Sequence, residues 1–317
     1  MTARPARDAI VAVAQESISK GSKSFAAASK LFDRETRERA WLLYAWCRRC
    51  DDIVDGQEHG HGLRVVTEAA AGLAEVRSKT ETALRGEWVG DPAFDALRIV
   101  AAETAMPHAW PQDLIAGFAL DAEEWRPRSE DDLYRYCYLV AGVVGCMMAV
   151  AMGVSADDEA TLDRACDLGM AFQLANIARD LREDDLAGRC YLPEEWLVEI
   201  DVPPGEHMKP MYRPRIAMLA RRMADRAAEF EASARAGTPV LSFRSAWAVL
   251  AAAGIYGGIA REVAKRGERA WDQRVSTSGF VKLGWVAQAG YQAARRQRLY
   301  PPSPRTGLWT RPRHPSE

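Results

Sequence analysis

The chain carries almost no excess of either charge. Its 42 Lys and Arg against 44 Asp and Glu leave a formal net charge of −2, so the basic footprint of a nucleic-acid-binding surface is missing and no nucleic acid is expected as a partner. It has no run of about 18 apolar residues, which removes an ordinary membrane span from the expectations and leaves attachment to a membrane surface open. The 6 cysteines lack the spacing of a secreted disulfide framework. Cys47 and Cys50 form a C-x-x-C, but no second cysteine or histidine pair follows at zinc-site spacing, and packing accounts for both. With no signal peptide evident, a reducing cytoplasm is the expected compartment. No stretch alternates apolar and polar residues as a half-buried strand would, and no Gly-x-Gly-x-x-Gly is present to mark a dinucleotide site.

What is present is helical spacing throughout, with 48% hydrophobic residues, ample for a sizeable core. The expectation is a single all-α domain over residues 1–317, ending in a flexible Pro- and Arg-rich tail over 301–317. Breaks are expected near Gly90-Asp91-Pro92, at Pro107 and Pro111, and over 201–214, where four prolines fall. Ser129 with Asp132 has the pattern of a capping box with Asp in place of Glu. Helical patterns resume over 213–236 and 242–268. The helix expected over 130–153 is nearly all apolar after Tyr138, which makes it central. Its small residues Ala141, Gly142 and Gly145 serve close helix packing or an apolar tunnel for a long hydrocarbon, and the two are compatible.

The polar exceptions carry the chemistry. From residue 169 the chain reads Gly-Met-Ala-Phe-Gln-Leu-Ala-Asn-Ile-Ala-Arg-Asp-Leu-Arg-Glu-Asp-Asp. Apolar residues recur at helical spacing, while Gln173, Asn176, Asp180 and Asp184 each fall near a whole number of turns and share one face. Tyr44, Arg48, Asp51 and Asp55 repeat the design on an earlier helix, spanning 35–56. Carboxylates one turn apart repel, and oxygen donors at this density suit a hard divalent ion that also bridges to substrate phosphates. A solvated acidic face is the alternative for either stretch alone. Asp52 and Asp185 lie about 100° of helix rotation from their neighbours and are expected to tolerate change. Gly21-Ser22-Lys23-Ser24-Phe25 interrupts two helical patterns and offers N–H groups, hydroxyls and an ammonium to a phosphate, unless Ser22 is simply a helix cap. His59 and His61 read as exposed loop residues.

Asp51-Asp52-Ile53-Val54-Asp55 and Asp180-Leu181-Arg182-Glu183-Asp184 resemble the two aspartate-rich motifs of the squalene and phytoene synthase family. The run Gln173, Asn176, Arg179-Asp180, Gly188-Arg189 and Tyr191-Leu192-Pro193 resembles its second signature, and Gly21 to Phe25 and Tyr136 to Gly145 resemble two further blocks. Many members carry His where this chain has Gly21. The resemblance implies the isoprenoid-synthase fold, with two acidic helices facing each other across a central cavity. It implies Mg²⁺ or Mn²⁺ held by Asp51, Asp55, Asn176, Asp180 and Asp184, with no NADPH. It assigns Ser22, Lys23, Ser24, Tyr44, Arg48, Gln173, Asn176, Arg179, Arg189, Tyr191 and Arg274 to the substrate. Asp51, Asp55, Asp180, Asp184 and Tyr136 are the implied catalytic set, Tyr136 standing near the tunnel mouth. The implied reaction joins two geranylgeranyl diphosphates through prephytoene diphosphate to a hydrocarbon, with diphosphate released and the final proton passing to Tyr136 or to diphosphate. The alternatives are a farnesyl diphosphate enzyme of the squalene or dehydrosqualene type and a non-catalytic isoprenoid binder. Ser29 and Trp41 are candidate chain-length positions. A hydrocarbon product that is insoluble in water implies a cytoplasmic protein peripherally associated with membrane, and the basic residues of the tail are one candidate contact.

Overall fold

Local capping chemistry decides where several of the helices begin. In the computed structural model, which describes residues 5–54, 69–123, 125–276 and 278–314 and only the backbone of Lys23, Ser24 and Ala69, helix α1 (Arg7–Gly21) is followed by α2 (Lys23–Ser29), whose N-cap is Ser22. Asp33 accepts from the Thr36 N–H at 2.9 Å at the start of α3 (Arg34–Val54). After α4 (Ala69–Leu84), Asp91 caps α5 (Pro92–Thr104), with Pro92 at a first-turn position that needs no donor. Helix α6 (Ala109–Ala122) follows. Helix α7 (Glu130–Cys137) opens on the expected capping box of Ser129 and Asp132.

The long apolar helix does not run uniformly. Residues Tyr138–Gly142 form a π-helical turn before α8 (Val143–Ala151), a local widening that requires one extra residue per turn. The longest helix is α9 (Glu159–Leu186), and α10 (Glu194–Glu199), α11 (Arg213–Ala236) and α12 (Phe243–Arg266) follow. Helices α13 (Gly279–Ala294) and α14 (Arg296–Leu299) complete the order. Among the described residues there is no strand, and the all-α expectation holds. Helix α13 is not evident from the sequence pattern, because glycines at 279, 284 and 290 and apolar residues all round leave no amphipathic period to detect.

Contacts divide the backbone into two compact units, one formed by α1–α6 with residues 146–162 and 313–314, the other by residues 125–145 and 163–312. In the first, α1 packs on α3 and α5, and α3 on α4. Leu42, Leu43, Trp46, Phe94 and Leu97 are fully buried there, each contributing roughly 1.5–3 kcal/mol by leaving water. Cys50 belongs to this core: burial pushes its thiol well above the ordinary value, so the C-x-x-C is packing and not a reactive pair. In the second unit α12 packs against α11 and α13, around Met170, Leu174, Met223, Phe230 and Leu250.

Two expectations need correction. Glu130–Ala151 and Phe243–Arg269 are long and apolar enough to cross a membrane by length and composition, so run length alone does not exclude a span; 67% and 50% of their apolar windows are buried inside the protein, as in core helices. The tail has no regular secondary structure, yet it is pinned. Arg305 forks onto Asp167 at 2.7 and 2.8 Å, Trp309 donates to Asp131 at 2.8 Å, and Arg311 reaches Asp163 at 3.1 Å. A Pro- and Arg-rich composition resembles a solvated segment, but buried carboxylates elsewhere in the unit give these arginines partners.

Candidate active site

Helix α9 builds the second acidic stretch as its spacing requires. Met170, Leu174, Ile177, Ala178 and Leu181 are buried, while Gln173, Asn176, Arg179, Asp180 and Asp184 are half-buried along the edge of that core. Asp180 is the best-defined member. Arg179 donates through Nε to Oδ1 at 2.7 Å and through Nη2 to Oδ2, while Arg274 forks onto the same two oxygens at 2.9 Å each. Burial works against the charge on this carboxyl, but the hydrogen bonds from the two guanidiniums prevail and hold its pKa below the usual value. Asp180 is therefore an ionised carboxylate at neutral pH.

Arg274 comes from a segment 94 residues further along the chain, and its position follows from three anchors. Trp271 donates its indole N–H to the Ala178 carbonyl at 3.0 Å, Arg182 returns a bond to the Trp271 carbonyl at 3.0 Å, and Arg213 pairs with Asp272 at 2.7 Å. At the far end of α9 the chain turns at Gly188, φ 77°, with the Gly188 N–H on the Asp185 carbonyl and the Arg189 N–H on the Asp184 carbonyl. This Schellman-type ending places Arg189, half-buried, directly after the acidic turn. Two residues on, the buried Tyr191 stacks on Tyr136 at 4.8 Å, and Tyr136 stacks in turn on Trp125 at 5.7 Å. The structure thus joins Tyr136 to the signature loop, which the sequence separates by more than fifty residues.

The helix crossing beneath Tyr136 answers the question left open by the small residues. A Cβ on Gly145 would lie 2.2 Å from the Ala165 carbonyl oxygen, one on Gly169 the same distance from that of Ala141, and one on Gly142 2.8 Å from Cys166 Sγ. On the side facing α9, close packing is what these residues serve. The π-helical turn falls at the same place.

In the first unit, Arg48 bridges Asp51 at 2.9 Å and Asp52 at 2.8 Å. Asp51 is 39% exposed, whereas Asp52 is 7% exposed. Helix rotation suggests that Asp52 is dispensable; the structure shows a buried anchor for Arg48, a role that no local pattern signals. Asp185 is also engaged, 3.5 Å from the buried His207. Asp55, with His59 and His61, lies outside the described residues, as do the side chains of Lys23 and Ser24. Ser22 accepts from the Phe25 N–H at 3.3 Å, so the cap reading holds, and its hydroxyl proton remains a donor. A Cβ on Gly21 would lie 2.5 Å from the Tyr44 hydroxyl oxygen. The space that a side chain at position 21 would need is taken by Tyr44. Ser29 and Trp41, the candidate chain-length pair, are hydrogen-bonded to each other at 2.9 Å.

The chain belongs to the squalene/phytoene synthase family, whose sequence profile matches residues 18–281. Among its relatives, the 15-cis-phytoene synthase of Paracoccus sp. is 44% identical over 305 residues, spanning 96% of this chain and 99% of that one. That of Enterobacter agglomerans is 47% identical over 295 residues, 92% and 99% of the two chains. In three dimensions the chain matches a dehydrosqualene synthase solved with a ligand, at a TM-score of 0.81 and 26% identity over 91% of this chain and 98% of that one.

Proposed function

We propose that this protein joins two geranylgeranyl diphosphates head to head, through prephytoene diphosphate, and rearranges the intermediate to phytoene with loss of diphosphate and a proton. The identity of 44–47% to 15-cis-phytoene synthases over nearly their whole length carries the reading, and it makes the 15-cis hydrocarbon the proposed product. Ionised Asp180 beneath two arginines supplies the matching chemistry. Arg274, 57% exposed, is free to exchange one carboxylate for the higher charge of a diphosphate, whose departure it then stabilises. Tyr136 and Tyr191, stacked and buried, form an apolar wall that keeps water from a carbocation.

A divalent metal fits this donor set. On α9, Asp180, Asp184 and the Asn176 amide are hard oxygen donors of the type that Mg²⁺ and Mn²⁺ take alongside waters and phosphates, and Asp51 is one on α3. Among the described residues no three His, Cys, Asp or Glu side chains converge as a metal cage. Both oxygens of Asp180 are occupied by arginines, so metal binding there requires Arg274 to let go. When bound, such an ion neutralises the leaving diphosphate.

Incubation of purified protein with geranylgeranyl or farnesyl diphosphate, with and without Mg²⁺, Mn²⁺ and NADPH, followed by identification of the hydrocarbon, tests the proposal. The expected outcome is phytoene from the longer substrate with metal and no NADPH. A requirement for NADPH, or preference for farnesyl diphosphate, would assign the chain to the squalene or dehydrosqualene branch. Product this apolar must leave into a bilayer, so the reading includes peripheral membrane association in the cytoplasm.

A further inference from the structure

Helix α13 has an apolar face that the protein itself does not cover. Its inner side is fully used: a Cβ on Gly254 would lie 2.5 Å from the Trp285 ring, Trp247 donates to the Val286 carbonyl at 2.7 Å, and Ala289 and Ala293 are buried. The outer side presents Phe280, 90% exposed, Leu283, 67%, and Tyr291, 56%, on one helical face. Near its C-terminal end Val240, Phe243 and Leu299 are exposed as well, and Gln297 donates to the Pro239 carbonyl and Arg296 to that of Leu241, tying α14 to the turn before α12. Burying one side by packing on α12 fixes the other side outward. An exposed apolar helix face of this kind marks an interaction surface.

Charge identifies the occupant. From Val275 to Ser316 the sequence contains no acidic residue, and α13 has Lys282 as its one charged residue. Arg295 lies over the Tyr291 ring at 5.0 Å and Arg298 is exposed beside it. The carboxylates of the adjoining α12 end and loop each have a cation beside them, Glu262 pairing with Arg266 and Asp272 with Arg213, while Glu268 lies in sequence among Lys265, Arg266 and Arg269. The tail arginines are occupied within the fold by Asp167, Asp163 and Glu159, which removes the tail as the basic contact. A second copy of the same face would bring the same cations and no matching carboxylates, so self-association is disfavoured. Apolar groups that enter the acyl boundary, flanked by arginines for the headgroups, suit an anionic bilayer. The face also begins five residues after Arg274, which grips Asp180.

We propose that the outer face of α13, with Arg295 and Arg298, is the surface by which this protein docks on an anionic lipid bilayer. The proposal deepens the reading of a polyprenyl substrate and a hydrocarbon product, and it places the arginine-bearing segment of the site at the membrane. Co-sedimentation of the full chain with phosphatidylcholine vesicles, with and without phosphatidylglycerol, tests it. Wild type is expected to bind the anionic vesicles in a salt-sensitive manner. Phe280→Ser with Leu283→Ser, both exposed and outside the catalytic machinery, is expected to lower partitioning about tenfold or more. Arg295→Glu with Arg298→Glu is expected to abolish the preference for anionic lipid, with circular dichroism confirming the fold of both variants. Wild type indifferent to vesicles, or variants that bind as wild type does, would overturn the proposal. So would a wild-type dimer in sedimentation equilibrium that the serine variant dissociates, since a second copy would then be the occupant. Phytoene formation in detergent, expected to survive in both variants, reports the catalytic reading separately: a chain that makes no phytoene but loses vesicle binding in the variants refutes the activity and keeps the docking face.

Discussion

Asp180 holds a double salt bridge in the protein, and the proposed function adds a metal-ligand role that substitution tests. Asp180→Asn is nearly isosteric and keeps the fold, but it removes the charged oxygen; metal-dependent turnover is expected to fall by about 100-fold or more, measured as phytoene formed at limiting Mg²⁺. Near-normal turnover there would remove Asp180 from the metal set. Arg274→Lys replaces a fork by a point charge, and about a tenfold rise in KM for the prenyl diphosphate is expected in steady-state kinetics. The same ion pair has a pH signature. Burial opposes the charge on Asp180, the hydrogen bonds from Arg179 and Arg274 outweigh it, and its pKa lies below the ordinary value. The stability this contributes is fully present above the unfolded pKa of about 3.9 and is lost as pH falls through the lower folded value. Thermal melts from neutral pH into that range should therefore fall more steeply for wild type than for Asp180→Asn, and parallel curves would contradict it.

At the scale of elements, the crossing of α9 with the π-helical turn and α8 tolerates no added atom. Gly145→Ala would place a methyl 2.2 Å from the Ala165 carbonyl oxygen, against backbone that cannot rotate away. A loss of roughly 1–3 kcal/mol in urea denaturation is expected, with activity reduced because Tyr136 is carried on the adjoining α7. Unchanged stability would mean that the two helices are free to part. Small residues at 141, 142 and 145 are legible in sequence as a close approach or as tunnel space. Only the opposing residues, Ala165, Cys166 and Gly169, decide for close approach on this side, and helix periodicity contains no information about which neighbour a face will meet.

For the molecule as a whole, the C-terminal segment acts as a fastening. Asp167 is fully buried, and burial raises its pKa despite the hydrogen bonds from Arg305 and Ser233. Arg305→Ala would leave that carboxyl without its main partner, and a loss of about 3 kcal/mol is expected by denaturant titration. Adding Asp167→Asn should recover part of it, since a neutral amide costs less to bury than a lone charge; no recovery would show that the arginine acts through packing instead. The near-zero net charge likewise conceals an arrangement in which the last part of the chain is basic and acidic residues are concentrated earlier.

The sequence by itself determined what is local. The identity of most helices, α13 excepted, the capping box at Ser129, the cap at Ser22 and the shared face of Gln173, Asn176, Asp180 and Asp184 follow from spacing within a few turns, because helix geometry repeats every 3.6 residues regardless of what surrounds it. Tertiary structure alone decided which distant groups meet: Arg274 on Asp180, Tyr136 on Tyr191, Arg305 on Asp167, Tyr44 in the space beside Gly21. It also buried Asp52, which rotation along its own helix would leave free, and turned one apolar side of α13 outward. These outcomes depend on which chain segments close on one another, and a salt bridge between residues 94 positions apart leaves no periodic trace in the sequence of either partner.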